Sequence, residues 1–421
     1  MRKKKKLGLT TTIFIALLLG VITGIALHSF LPTGYIRDTV IINGVLDLIG
    51  SGFIRGMQML VVPLVFCSLV CGSMAIGDTK KLGKVGIYTI LFYLVTTAIA
   101  ITVSLLIANF LHPGRNLDMS SIAITEVKVS ETTGVKDTIL SIIPTNPFRA
   151  LADGTMLAII FFALFVGVLL AGMGKKSETL ANIFSQGNDL MMNMTMAIMK
   201  AAPIGVFCLI AKTFGSLGYE AIAPMLKYII VVFIALIIQC FGVYQVFLFV
   251  FTRLNPLRFI QKFFPVMAFA FSTATSNATI PLSIETLEEK LGVSRQISSF
   301  TIPLGATINM DGTAIMQGVA VVFVAEAFGI LLEPIDYLTV ILTATLASIG
   351  TAGVPGVGLI TLSMVFHSVG LPVEGIGLIM GIDRIVDMAR TAVNITGDAV
   401  CTTIVANKNG RLDRMMFDQN Q

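Results

Sequence analysis

The sequence predicts an all-α integral membrane protein, on three observations. Only 13% of the 421 residues are charged while 55% are hydrophobic, and the mean hydropathy is +0.89. A soluble domain carries about 25% charged residues, so half that supply cannot cover a water-facing surface. The apolar residues also gather into stretches able to span a hydrocarbon core of roughly 30 Å, which takes about 20 residues as a helix. Lastly, the net charge of +5 resolves into a run of Arg2, Lys3, Lys4, Lys5 and Lys6 and short basic clusters between apolar stretches. That is the charge pattern of membrane topology, not of nucleic-acid binding. A soluble enzyme, a disordered chain and a nucleic-acid module are excluded by this composition.

Ordinary crossings are expected at residues 9–31, 46–76, 85–111, 152–173, 190–214 and 221–251. The first follows a basic run, as a signal peptide would. It is long, however, lacks a small-residue cleavage pattern and precedes further spans, so it reads as mature helix. With the basic tail in the cytoplasm, alternation puts Lys80, Lys81 and Lys84 inside, then Lys175 and Lys176, then Arg253, Arg258 and Lys262. The opposite loops carry only Arg37, Arg115, Lys128 and Lys136, as the positive-inside rule requires. Both termini are therefore expected in the cytoplasm of a cell-membrane protein. Residues 119–147 are polar and Ser/Thr-rich, and read as an external loop.

After Phe263 the apolar stretches shorten and are interrupted at 272–281, 307–313 and 348–358 by Gly, Pro, Ser, Thr and Asn. The stretch 336–350 has 15 residues, which as helix reaches only about 22 Å. It enters, breaks and returns, a re-entrant hairpin from outside; 272–281 marks a similar hairpin from inside, flanked by Lys262, Lys290 and Arg295. Irregular backbone at membrane depth is tolerated only where protein or a water-filled cavity covers it. Paired interrupted segments are the sequence pointer to a transporter's binding site.

The last apolar stretch, 371–406, carries Asp383, Arg384, Asp387, Arg390, Thr391, Asn394 and Asp398. Positions 383, 387, 391, 394 and 398 recur at three or four and line one helical face. Facing lipid, its five charges would cost on the order of 10 kcal/mol at about 2.5–3.5 kcal/mol each, so they must face protein. Structural ion pairing could satisfy Arg384 with Asp383 or Asp387, but it leaves Asp311 alone in a break on another helix. Asp311, Asp383, Asp387 and Asp398 against Arg384 and Arg390 leave a net charge of −2. Such a pocket needs bound cations or protonated carboxylates. Hard cations with oxygen ligands suit the free carbonyls of broken helices, while half-helix N-termini favour anionic groups. Arg390 offers a bidentate fork for a carboxylate.

On these residues the sequence resembles the dicarboxylate/amino acid:cation symporters, which include glutamate and aspartate transporters. The resemblance runs over essentially the whole chain. It is densest in Asn309-Met310-Asp311-Gly312-Thr313, in Gly353-Val354-Pro355-Gly356 and from Asp387 to Asp398. It implies eight transmembrane helices plus two re-entrant hairpins, built as inverted repeats, in a homotrimer working by an elevator motion. Scaffold helices would occupy 1–85 and 138–217. Transport elements would occupy 86–137, which includes the external loop, and 218–421.

The resemblance further implies that Arg390 binds the substrate's side-chain carboxylate and Asp387 its α-amino group, with Thr391 and Asn394 on the α-carboxylate. Thr313 would line the pocket, and Thr275, Ser276, Asn277, Val354 and Gly358 would close over it. One Na+ would use Gly305, Asn309, Asn394 and Asp398, and a second Thr307, Ser348, Ile349 and Thr351. A third would use Asp311, Tyr93, Thr96 and Thr97. Having both Asp387 and Arg390 implies an acidic amino acid, aspartate or glutamate. C4-dicarboxylate relatives lack the acid and neutral amino acid relatives lack the arginine, so these are the alternatives, with an anion channel the alternative from another class.

Two departures bear on mechanism. Where many relatives carry Arg in the first hairpin this chain has Ala274, and Arg384 stands one turn before Asp387, a candidate for balancing the acids from the other side. Position 317 is Gln where proton-coupled animal relatives carry Glu, which implies Na+ coupling without H+/K+ exchange. Other signals carry little. Cys67, Cys71, Cys208, Cys240 and Cys401 sit in apolar stretches without a CxxC pair, so packing explains them, and His28, His112 and His367 are too scattered to suggest a His-based triad or a zinc site. The run 353–358 lacks the Lys and Ser/Thr of a phosphate loop, and the sequons at Asn193, Asn277 and Asn394 lie in apolar segments.

Overall fold

A backbone surrounded by lipid has no water to bond to and must satisfy its own polar groups, which a helix does within one segment. The computed structural model describes all residues except 1–8, 78–83, 116, 118–139, 141–142, 219–221, 349–356 and 420–421. Among the described residues it is helical throughout, and the only strand-like pairing is an isolated bridge between Val293 and Leu412. Five helical stretches among them, Tyr35–Gly56, Val85–Leu111, Ala158–Ile198, Ile222–Thr252 and Arg295–Ala327, are long and apolar enough to cross a membrane.

The first half runs α1 (Leu9–Phe30), a π-helical segment (Tyr35–Leu46) leading into α2 (Asp47–Gly77), α3 (Lys84–Leu111), α4 (Pro147–Asp153), α5 (Met156–Met173), α6 (Glu178–Met199) and α7 (Ala202–Leu217). Two boundaries differ from the sequence expectation. The stretch 152–173 starts only at Met156, because Gly154 adopts the left-handed conformation, φ 70°, that ends α4. The stretch 190–214 is two helices, not one. Pro203 suits the first turn of α7 but not a helix interior, so α6 ends at Met199 and reaches back to Glu178 through polar residues that hydropathy skips.

The second half runs α8 (Ile222–Ile237), a π-helical turn (Ile238–Val243), α9 (Tyr244–Thr252), α10 (Pro256–Thr273), α11 (Ser276–Glu289), α12 (Arg295–Ile308), α13 (Asp311–Ala327), α14 (Pro334–Ser348), α15 (Val357–Ser368), α16 (Ile376–Lys408) and α17 (Arg414–Asp418). Helices α10 and α11 meet at Ala274, which is left-handed at φ 51°. Helices α14 and α15 meet across residues outside the described set, and α12 gives way to α13 at the extended Asn309. The interruptions at Ala274 and Asn309 fall where the sequence places them, and the one after Ser348 lies outside the described residues.

Two groups of contacts organise the molecule. Helix α1 lies along α7, and α2 packs on α5, α6 and α7. Helix α3 instead packs on α13 and α14, while α16 is surrounded by α9, α10, α12 and α13 and also meets α7 and α1. Every residue of α13 except Glu326 is buried. By contrast α1, α5 and α8 leave large apolar residues such as Ile22, Phe165 and Ile230 exposed, an apolar surface suited to lipid rather than water.

Candidate functional site

Asp311 opens α13 and is fully buried. One carboxylate oxygen accepts from Thr97 Oγ1 of α3 at 2.5 Å. The other accepts from Gln239 Nε2 at 3.0 Å and from Tyr244 OH at 2.8 Å. The π-helical turn carries Gln239, and Tyr244 follows it directly; such turns concentrate at functional positions. Thr96 Oγ1 donates to the carbonyl of Tyr93, and Tyr93 OH donates to the carbonyl of Thr301. Thus the four residues expected together, Tyr93, Thr96, Thr97 and Asp311, do lie on facing stretches of α3 and α13.

A second cluster forms where α12 ends. Asn309 Nδ2 donates to Asp398 Oδ1 at 2.8 Å and to the carbonyl of Asn394 at 2.9 Å. The amide N–H of Gly312 donates to Asn394 Oδ1 at 2.7 Å. Asn309 Oδ1 is buried with no hydrogen-bond partner among the described residues. Gly305 is held against this cluster so closely that a Cβ there would strike Asp398 Oδ1 and Tyr93 OH. An acid, an orphaned amide oxygen and the carbonyl end of a helix form an oxygen-rich, electronegative place that fits a hard cation. Among the described residues no group of three or more His, Cys, Asp or Glu is arranged to hold a metal, so such a cation would rely on the single Asp398 carboxylate with amide and carbonyl oxygens.

The third cluster lies on α16. Arg390 Nη2 donates to Asp387 Oδ1 at 2.7 Å and pairs with Asp383 Oδ1 at 3.2 Å, and its side chain is only 1% exposed. Arg384 Nη1 donates to Asp387 Oδ2 at 3.3 Å. Arg390 Nε and Nη1 are buried without a hydrogen-bond partner among the described residues. Gly358, in the first turn of α15, lies over the guanidinium, where an added Cβ would come within 2.8 Å of Nη1. Thr391 Oγ1 donates to the Asp387 carbonyl, and Asn394 Nδ2 and Thr313 Oγ1 both approach Met310 Sδ. A buried fork with two spare donors can receive a carboxylate; the aspartate beside it can receive an ammonium group.

The family model of the sodium:dicarboxylate symporter family matches residues 9–408. The chain belongs to that family. Its curated relatives include the proton/sodium-glutamate symport protein of Bacillus caldotenax, 36% identical over 97% of this chain and 96% of the relative. The proton/glutamate-aspartate symporter of Escherichia coli (strain K12) is 35% identical over 98% of this chain and 95% of its own length. The C4-dicarboxylate transport protein of Bacillus subtilis (strain 168) is 30% identical over 96% and 94%.

The remaining residues singled out in the sequence are more scattered. Thr275 stands at the N-cap of α11, Ser276 is buried and Asn277 is exposed. Thr307 and Ser348 each donate to a carbonyl one turn earlier in their own helices. Ile349, Thr351 and Val354 lie outside the described residues. Sequence reasoning missed Gln239 and Tyr244 as partners of Asp311, and missed that Asp383 shares Arg390. The signal for Gln239 was available, one of two amides with Gln245 in an apolar run, but nothing in the spacing says which acid it meets.

Proposed function

We propose that this protein is a Na+-coupled secondary symporter of acidic amino acids, L-aspartate or L-glutamate. The observation that carries the reading is the Arg390–Asp387 pair beneath Gly358. A cationic fork with spare donors and an adjacent carboxylate are buried in one place, which matches a ligand bearing both a side-chain carboxylate and an ammonium group. On this reading Arg390 takes the side-chain carboxylate and Asp387 Oδ1 the ammonium. Thr391 and Asn394 hold the α-carboxylate, and Thr313 lines the pocket. The tips around Thr275, Ser276, Asn277, Val354 and Gly358 cover it, and the α11 N-terminus adds a favourable dipole for an anion.

Na+ travels as cargo. Gly305, Asn309, Asn394 and Asp398 form one site; Asp311, Tyr93, Thr96 and Thr97 a second; Thr307, Ser348, Ile349 and Thr351 a third. Buried Asp311 and Asp398 support this assignment, since their charge lacks an ammonium or guanidinium partner among the described residues. The movement is an elevator. Residues 1–85 and 138–217 are the scaffold of a homotrimer, with eight spans in all, cytoplasmic termini and contact with membrane lipid. Residues 86–137 and 218–421 carry the cargo, and the packing of α3 on α13 and α14 rather than on α1 or α2 supports that division.

The test is uptake of labelled aspartate into proteoliposomes across a Na+ gradient, with glutamate, serine and succinate as competitors. Glutamate should compete and serine should not. Equal competition by succinate would favour the C4-dicarboxylate reading, for which one relative is named, and current without coupled uptake would favour an anion channel. Gln317 donates to Thr361 Oγ1 and offers no titratable group, so transport should need neither K+ nor a proton gradient. One glutamate relative's name carries protons as well as sodium and the other's carries protons alone, which makes uptake at several pH values the decisive control.

A further inference from the structure

Asp387 has a guanidinium on each oxygen, Arg390 on Oδ1 and Arg384 on Oδ2. We propose that Arg384 is a positioning residue: it anchors Asp387 by Oδ2 while Arg390 exchanges Oδ1 for the substrate's carboxylate, and so sets the affinity for the substrate's ammonium group. The inference rests on the proposed function and deepens it.

The two arginines stand in different surroundings. Arg390 lies beneath Gly358, with Nε and Nη1 unpartnered among the described residues and Asp383 as a second carboxylate 3.2 Å away. It can therefore release Asp387 without becoming an isolated buried charge, which would be costly. Arg384 stands three residues before Asp387, about 60° around the helix. With Asp383 it lines a cavity of about 20 Å³ walled by Ile13 of α1, Phe53 of α2, Val206 of α7 and Leu359 of α15. That space admits a single water, not a ligand. Substrate arriving at Arg390 thus frees Oδ1 to accept an ammonium proton, while Oδ2 stays fixed on Arg384. The four charges Asp383, Arg384, Asp387 and Arg390 balance, and the added ammonium replaces the contact that Arg390 gives up.

The test uses purified full-length protein and equilibrium binding of aspartate at saturating Na+. Arg384→Gln should weaken aspartate about tenfold, the scale of one hydrogen bond to a charged group. Na+ binding without amino acid, read as the Na+-dependent rise in melting temperature, should stay unchanged. Arg384→Lys should restore affinity to within about threefold of the wild type, because a cation still reaches Oδ2. In an Asp387→Asn background, adding Arg384→Gln should change aspartate binding less than twofold, since no carboxylate is left to anchor. Unchanged affinity in Arg384→Gln, no rescue by lysine, or equal losses in both backgrounds would overturn the proposal. If Arg384→Gln is not recovered folded, Arg384→Lys alone and paired with Asp387→Asn supplies the same cycle, with a smaller loss in the same direction expected. Wild-type protein that binds no acidic amino acid in Na+ overturns the proposed function itself; wild-type binding without the Arg384 effects overturns only this inference.

Discussion

Asp387 is held by two arginines, whereas Asp311 is held by a threonine, a glutamine and a tyrosine, and Asp398 by one asparagine amide. All three carboxylates are buried. A buried charge must be compensated, and neutral donors compensate it only in part. Asp387 therefore sits in a region whose charges balance within the protein. There a zwitterionic ligand can exchange with existing pairs. Asp311 and Asp398 sit in a region short of positive charge among the described residues, which on the proposed function a cation from solution supplies. On the proposed function the two cargoes occupy different regions, with Asn394 between them: its carbonyl and Oδ1 bond into the Asn309 cluster and its helical face continues to Asp387.

The largest expected effect breaks the balanced region. Arg390→Ala leaves Asp383 and Asp387 without their shared partner. Truncating one member of a buried charge pair costs about 2–5 kcal/mol, so aspartate uptake should fall at least about thirtyfold. Uptake per folded molecule, normalised by size-exclusion recovery, checks this. Near wild-type transport would mean that the balanced region does not hold the amino acid.

Asp398→Asn sharpens the contrast from the other side. It removes a charge the protein does not pair, so without Na+ the variant should melt at or above the wild-type temperature. The stabilisation that Na+ gives the wild type should shrink, with Na+ affinity about 10- to 100-fold weaker, the scale of a charged hydrogen bond. A marked loss of stability in Na+-free buffer would show that Asp398 is already compensated.

Tyr244→Phe is a smaller perturbation of the same region. It removes one donor from Asp311 Oδ2 while Gln239 and Thr97 remain. A loss of about 1–3 kcal/mol should appear as weaker Na+ dependence of uptake, with the aspartate selectivity over succinate unaltered. At the bottom of the scale is Arg149→Ala. Its pair with Asp153 has side chains 81% and 59% exposed, and such pairs contribute about 0–1 kcal/mol. Uptake should change less than twofold, and a larger change would assign α4 a part in transport that its exposure does not suggest.

Much of this contrast was legible from residue order. Hydropathy and charge placed the chain in a membrane, and the breaks at Ala274 and Asn309 were visible because Gly, Pro, Asn and Thr interrupt short apolar runs. The charged face of α16 followed from spacing alone. The pairing within it did not: Asp383, Asp387 and Arg384 compete for neighbours three or four residues apart, and only side-chain packing decides that Arg390 takes two acids. Gln239 and Tyr244 reach Asp311 across 72 and 67 positions, a separation that periodicity cannot bridge. The amphipathic start of α6 escaped because hydropathy averages out a polar face, and the break before Pro203 was hidden inside an apolar run.

The most direct test of the two-region account is aspartate affinity measured on purified protein across a Na+ series at constant ionic strength. If the cation-poor region must be filled by Na+ before the Arg390–Asp387 region binds tightly, the two sites are linked. Aspartate affinity should then rise steeply with Na+, with a log–log slope above one, and choline or K+ should not substitute. Aspartate affinity independent of Na+ would contradict the account.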